Sequence, residues 1–587
     1  MLINCFCNWS FVRERVTLGR DLVFQSMDAT SPYIGDSERR DISPIIEGGI
    51  MINSTKGLSL LSLLFIALYT NASDISKNIP QVITINNGSE VVSLDPHKVE
   101  GVPESNIILN LLEGLVYTDV DGKTAPGVAK NWRNENYTTW IFTLRDDARW
   151  SDGTPVTAED FVYSWRRLAD PTTGSPYSSY LQNAYIENAN QILKGKMPVE
   201  SLGVKALDPL HLQVTLSHPV PYFIDMLSHT SMKPVNKKAI ETFGDKWTQP
   251  QNFIGNGAYL LDSWIVNERI VVKRNPMYWD NKNSRIEQAT FLSITSEVSD
   301  INRYRSGEVD ISNSAIPPAL FKKMQAENPK ELYVRPYLCT FYYEINNQKT
   351  PFTDKRVREA IKLGLDREII TNKIIAQGQT VAYGFTPTFI NNGHFDLPDW
   401  ANWKDEKRHQ RARELLAEAG FTQDNPLKFA LLYNTSDQNK QQAIVAASMW
   451  QKNIGAQVSL QNQEWKTVLQ SRHEGNYDVA RVTWCADYNE PTSFLNMMLS
   501  ENSNNTAFYK NKSFDALLEK ALIAPNDLAR KQIYQQAESV LDADSAIVPV
   551  YYRVSARMVK PTVGGFKGND PLDYTDIKRL YISEVNK

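Results

Sequence analysis

Residues 427–484 read LKFALLYNTSDQNKQQAIVAASMWQKNIGAQVSLQNQEWKTVLQSRHEGNYDVARVTW, and their punctuation decides the fold class. Leu427–Tyr433 is a short apolar run with the length of a strand, and Asn434-Thr435-Ser436-Asp437 supplies side chains that cap a helix N-terminus. A helix is predicted from there to about Asn453, with Gly455 as its C-terminal glycine. AQVSLQNQ (456–463) alternates like a strand, Trp465–His473 reads as a helix, and Tyr477–Thr483 as a further strand. The order β-α-β-α-β marks an α/β fold with a mostly parallel sheet and crossover helices. In open α/β sheets ligands bind outside the carboxyl ends of the strands. Trp465 directly follows one such strand and Trp484-Cys485-Ala486-Asp487 follows another. The pattern therefore nominates a rim of two tryptophans and one carboxylate, with Arg481 just inside it. The plainer alternative makes the tryptophans core residues and Asp487 a turn cap.

Outward from this segment, Gln81–Asn86 and Trp140–Leu144 read as strands, Asp119-Val120-Asp121-Gly122 as a turn, and Ala158–Leu168 and Arg356–Leu365 as helices. There is no internal repeat and no charge block. At 587 residues the chain has room for about three to five domains, each with its own core. It is 42% hydrophobic and 22% charged, and 28 glycines with 29 prolines exclude fibrous and low-complexity classes. A formal net charge of -4 argues against nucleic acid as a partner, because phosphate binding needs a concentrated basic face.

The single long apolar run, LSLLSLLFIALY (58–69), is shorter than the roughly 20 residues a membrane span requires. Lys56 precedes it and Thr70-Asn71-Ala72 follows it, which is the pattern of a secretory signal peptide cleaved after Ala72. A signal peptide normally starts at the initiator, so residues 51–72 are read as the signal and 1–50 as an extension of the gene start, with a genuine cytoplasmic leader as the alternative. No cysteine lies near the cleavage site to carry a lipid, and the expected destination is a periplasm. Only Cys339 and Cys485 remain after processing. In an oxidising compartment they suggest one disulfide, worth roughly 5 kcal/mol by loop-closure entropy, with two separate buried thiols as the alternative.

Patterns that carry bond-making chemistry are missing. Gly122-Lys123-Thr124 lacks the upstream glycine of a phosphate loop, and no H-E-x-x-H, G-x-S-x-G or G-x-G-x-x-G occurs. Asp119, Asp121 and Gly122 lack the terminal glutamate of a calcium loop. His473-Glu474 could form an acid–base pair, although a helix-end or binding role fits His473 better. No enzyme, metal or cofactor is expected.

Longer stretches carry a resemblance: NNGSEVVSLDPHKVEGVPES (86–105), ARWSDGTPVTAEDFVYSWRR (148–167), NRYRSGEVD (302–310), YEINNQK (343–349), LLYNTSD (431–437), QNQEWKT (461–467), WCADYNEPTSFLN (484–496) and DSAIVPVYY (544–552). From about Thr84 to Ser583 the chain resembles the periplasmic oligopeptide-binding proteins of enterobacterial type, large solute-binding proteins of family 5 that serve ABC importers. The resemblance implies a three-domain binding-protein fold in which lobes of mixed sheets flanked by helices close by hinge bending. The implied domains are 73–112 with 237–338 and 555–587, then 113–236, then 339–554. It also implies that Cys339 and Cys485 form the disulfide. The implied ligands are short peptides of about two to five residues, bound as an added strand through their backbones. The implied partners are an inner-membrane ABC permease and ATPase complex, with the binding protein itself a monomer.

Carried over residue by residue, Asp487 matches the carboxylate that pairs with the peptide α-amine. Glu100, Gly101, Val102 and Tyr177, together with Trp484, Cys485 and Asp487, match backbone and N-terminal contacts. Trp465, Trp484, Tyr337, His473, Glu344 and Arg472 match pocket linings, and Arg481 matches a guanidinium that receives the carboxylate of short peptides. The chain departs where relatives place a lysine and a histidine for the carboxylate of longer peptides, since Ile375 and Asn439 stand there. Arg553 stands where a pocket tyrosine is expected, so the expectation is a shift toward short peptides or a carboxylate held by Arg553. The rival within the same fold is a binder of murein tripeptide for cell-wall recycling. A periplasmic chaperone needs an open groove, and a peptidase needs a nucleophile or metal constellation that the sequence lacks.

Overall fold

Ser436 sets the frame. Its Oγ accepts the Asn439 N–H at 3.0 Å and starts the helix Asp437–Ile454, which Gly455 ends at a φ of 72°. A computed structural model describes residues 79–391 and 393–584; the expected leader, signal segment and cleavage site lie outside them. The strand before this helix, Lys428–Asn434, pairs in parallel with Gln457–Gln463 along its whole length. It also pairs in parallel with Val479–Cys485, through Leu431–Val479 and Leu432–Ala480.

The sheet continues beyond this parallel part. Val479–Cys485 pairs antiparallel with Leu332–Ile345, which pairs antiparallel with Ile547–Met558, and Thr380–Val381 closes the far edge. The sheet is thus half parallel rather than mostly parallel, because its other strands arrive from distant sequence. The strand expected to end at Thr483 runs on to Cys485, since pairing continues through Thr340–Trp484 and Cys339–Cys485. Gln457–Gln463 is an edge strand, mostly exposed, which explains its polar composition.

Alternation along Leu332–Ile345 divides the core. Phe341, Tyr343 and Ile345 join one buried cluster with Val357, Leu415 and Trp450, from helices on that face. Leu338 and Tyr342 face the other way, toward Val468, Phe514 and Tyr534. Period-2 burial on both faces makes this strand the middle layer of a helix–sheet–helix sandwich.

Two four-stranded sheets stand beside it. One has the order Val82–Asn86, Gln288–Leu292, Arg269–Arg274, Tyr259–Ile265, and its first pair is parallel. The other, antiparallel throughout, runs Ala129–Glu135, Thr139–Leu144, His211–Thr215, Val204–Asp208. Its helix Ala158–Ala169 is opened by a capping box between Thr157 and Asp160, which buries Phe161, Trp165 and Leu168 against the sheet side.

Candidate functional site

The carboxyl end of Val479–Cys485 opens into a cavity of about 240 Å³. Its walls come from the first sheet (Asn86–Ser89, Glu297, Asp300, Asn313), from the sandwich (Asn434–Ser436, Trp465, Arg472, Arg481–Asp487, Arg553) and from Tyr177, His229 and Tyr574. The rim nominated from sequence is there, since Trp465, Arg481, Trp484 and Asp487 all line it.

Asp487 is the pivot of one end. Its backbone N–H donates to Ser493 Oγ at 2.7 Å, and its Oδ1 accepts the Tyr177 hydroxyl at 3.1 Å. Burial pushes the carboxyl up to about 8, against the opposing effect of the Tyr177 hydrogen bond. His229 Nε2 stands 3.3 Å from the same oxygen. Burial holds His229 down to about 3, and its Nδ1 accepts the Ser231 N–H, which leaves the ring proton on Nε2 facing Asp487. The contact is therefore that of a neutral imidazole, and Asp487 has no cationic partner among the described residues. A carboxyl held this way is built to receive a cation from outside.

The disulfide Cys339–Cys485 ties the middle strand of the sandwich to the strand that leads to Asp487. Trp484 Nε1 donates to Ser493 O at 2.7 Å, so the same serine residue orients both Trp484 and Asp487. Gly101 is required by close approach, because a Cβ there would meet Glu104 Oε2 at 2.1 Å and the Trp465 ring at 3.1 Å. Glu104 is fully buried, and burial first of all raises its pKa to about 7.

Two expected residues are not on this wall. Glu344 is fully buried behind it, where its carboxylate accepts from Arg472 Nε at 3.1 Å and from Thr506 Oγ1 at 3.0 Å. Burial disfavours the Arg472 cation, but Glu344 more than offsets this and raises its pKa. Glu344 thus charges and positions Arg472, and Arg472 is the one that reaches the wall. His473 lines a neighbouring cavity of about 440 Å³ with Lys98, Pro176 and Lys466. Its Nε2 lies 2.8 Å from Glu100 Oε1, and Glu100 faces both cavities. Gly101, Val102, Tyr177, Tyr337, Cys485 and Arg553 are all on the main wall. Of the departures, Asn439 lines the cavity and donates to Asn434 O at 3.1 Å, while Ile375 is fully buried in the core.

Sequence reasoning missed His229, Tyr574, Glu297 and Asp300. The last two sit at the start of the helix Glu297–Ser306, across the cavity from the helix Asp437–Ile454. Glu297 accepts the N–H groups of Asp437 (2.9 Å) and Gln438 (3.3 Å), while Asp437 accepts the Ser296 hydroxyl at 2.7 Å. Glu297 thus caps the N-terminus of the second helix from across the cleft, and a side-chain hydrogen bond from Ser296 to Asp437 ties the two helix ends together. Ser296, itself the N-cap of the first helix, was the available signal, but nothing local announces a partner 141 residues away.

Comparison with known proteins places this geometry. Residues 123–506 match the family described as bacterial extracellular solute-binding proteins, family 5 Middle. The chain is 56% identical over 540 residues to the periplasmic oligopeptide-binding protein OppA of Salmonella typhimurium, covering 91% of this chain and 99% of that one. It superposes on the crystal structure of Haemophilus influenzae OppA in complex with RPPGFSPFR with a TM-score of 0.85 at 46% identity, covering 86% of this chain and 99% of that one. The Escherichia coli murein tripeptide binding protein MppA, 40% identical over 86% of this chain and 99% of its own, also gives 0.85. Its unliganded open form, with 98% of that chain covered, gives only 0.61. Equal identity with unequal superposition means that the present arrangement of the lobes is not that of the open form. The chain belongs to family 5 of the bacterial extracellular solute-binding proteins and is of the enterobacterial oligopeptide-binding type.

Proposed function

We propose that this protein captures short linear peptides with little sequence preference and delivers them to an ABC importer. The observation that carries the reading is a cavity along the end of a strand, with a buried carboxyl at one end and two guanidiniums further along. Among the described residues the carboxyl is paired only with a neutral histidine, and the two guanidiniums form no ion pair. Asp487 would take the peptide α-ammonium, and Tyr177 with the Trp484–Asp487 backbone would fix the first residue. Glu100, Gly101 and Val102 offer backbone partners to an added strand. Trp465, Trp484, Tyr337 and Arg472 would line side-chain pockets, with Glu344 acting through Arg472 and His473 through Glu100. Arg481 stands six positions before Asp487, and at about 3.3 Å per residue that spans about 20 Å. Side chains reaching inward from both ends shorten this to the length of about two to five extended residues.

Closure would be a movement of three domains with the boundaries 73–112, 237–338 and 555–587, then 113–236, then 339–554. Two of these boundaries fall in the long strands Leu332–Ile345 and Ile547–Met558, whose pairing shifts register between Pro336 and Thr340. A register shift weakens the ladder locally and supplies a place to bend. The relatives named periplasmic support a periplasmic location, reached after cleavage near Ala72. The protein would act as a monomer beside its membrane permease and ATPase, with no catalytic step of its own.

Native mass spectrometry of the protein from periplasm, followed by denaturation and sequencing of what it releases, tests the reading. A mixed population of short linear peptides is expected. A single species with the mass of the cell-wall tripeptide would replace this reading with murein-peptide recycling, as in the relative MppA.

A further inference from the structure

Four arginines line the main cavity, and two of them stand without a carboxylate partner among the described residues. Arg472 is matched by Glu344, and Arg557 by Asp573 at 2.7 Å. Arg481 and Arg553 have no such partner: among the described residues neither is in an ion pair with a carboxylate. Arg481 donates only a long contact to Asn434 Oδ1 at 3.4 Å, and its Nε is buried without an acceptor. Its guanidinium lies 5.0 Å from the Phe341 ring, and that of Arg553 lies 5.7 Å from the Tyr337 ring, four positions along the same strand. Both arginines line the same cavity, on the two strands of the sandwich that pair with Leu332–Ile345 from either side. Burial first, and the like charge of Arg553 in addition, bring Arg481 down to about 10.

The acids of the same wall form no ion pair with either arginine, although the Glu297 charge acts on Arg481 from a distance and one Asp300 oxygen is buried without a partner. Glu297 caps a helix, Glu100 is bonded to His473, and Asp300 accepts the Asn313 N–H at 2.8 Å while burial pushes its carboxyl up to about 6. Asp487 lies at the other end. Two guanidiniums therefore face the ligand's carboxyl end, and a single α-carboxylate leaves one of them without an ion-pair partner.

We propose that Arg481 and Arg553 together select peptides whose C-terminal residue is aspartate or glutamate, one guanidinium taking the α-carboxylate and the other the side-chain carboxylate. The inference rests on the peptide-binding reading and narrows it. A bidentate guanidinium–carboxylate pair is among the stronger charge-assisted hydrogen bonds, so the second carboxylate carries a large share of the preference.

The test is isothermal titration of matched peptides that differ only at the last residue, such as Ala-Ala-Glu against Ala-Ala-Gln, repeated with one and two added alanines. At low salt the glutamate-ended member of at least one pair is expected to bind about ten-fold tighter or more. In Arg553→Gln the ratio between the two peptides should collapse to about two-fold or less, and Arg553→Lys should restore part of it. Equal affinities in every pair on the unaltered protein overturn the proposal while leaving peptide binding intact. Failure of all six peptides to bind overturns the underlying reading instead.

Discussion

If Asp487 takes the peptide α-ammonium, as proposed, the affinity for peptide should depend on pH in a way that can be worked out in advance. With burial raising its carboxyl to about 8, the unliganded site is mostly protonated at pH 7, and ionising it there costs about 1.4 kcal/mol. The complex needs a carboxylate facing an ammonium, so binding at pH 7 releases about one proton. A free peptide α-amine titrates at about 7.7–8.0. Affinity should therefore rise about ten-fold per unit from pH 5.5 to about 7.5, peak near pH 8, and fall once both partners are deprotonated. Titrations in buffers of different ionisation enthalpy count the proton directly. Asp487→Asn should lose about 2–5 kcal/mol of binding, roughly 30-fold to several thousand-fold, and lose the acid-side slope with it. The same variant should gain stability when unliganded. A carboxyl whose folded pKa is raised contributes stability that is complete below about pH 4 and lost as pH rises through about 8. Melting temperature should accordingly fall across that window in the unaltered protein and change less in Asp487→Asn. A Kd that is flat from pH 5.5 to 8 with no proton released would refute the reasoning, because Asp487 would then be ionised before the peptide arrives.

Other consequences follow from neighbouring groups. Glu344→Gln leaves the buried Arg472 guanidinium without its carboxylate and should cost about 3–5 kcal/mol in urea unfolding, a loss that a purely solvent-facing pocket residue would not give. Replacing both Cys339 and Cys485 with serine should lower stability by about 2–5 kcal/mol, read from the same curves. Removing the cap that Glu297 provides, as Glu297→Ala, should cost the closed form about 0.5–2 kcal/mol and speed peptide release by about two- to thirty-fold in stopped-flow measurements.

What the sequence made legible was local. Residues 427–487 disclosed a strand, a capped helix and a rim because Ser436, Gly455, Trp465 and Trp484 each mark a boundary within a few residues of the next. The antiparallel half of the same sheet stayed hidden, since Leu332–Ile345 and Ile547–Met558 meet across more than two hundred positions and carry no mark of that pairing. The site divides in the same way. Asp487 and Arg481 follow from strand order, whereas Tyr177 came from resemblance alone and His229 from neither. Glu344 resembled a wall residue in one dimension because it supports one in three: its charge reaches the cavity only through Arg472.

The exchange in which Glu297 caps the helix Asp437–Ile454 and Asp437 accepts the Ser296 hydroxyl contains no atom of a guest. Whatever it contributes to holding the lobes together is a constant added to every binding free energy, and it cancels from the ratio of any two affinities. Tightening it would raise every occupancy alike and blur the difference between a good peptide and a poor one once both saturate. It would also shut a fraction of empty molecules, and an importer that recognises the shut shape would then meet carriers with nothing to deliver. The strength of that one exchange between two helix ends therefore sets a trade between scavenging dilute peptides and wasted visits to the membrane, independently of which peptides the cavity prefers.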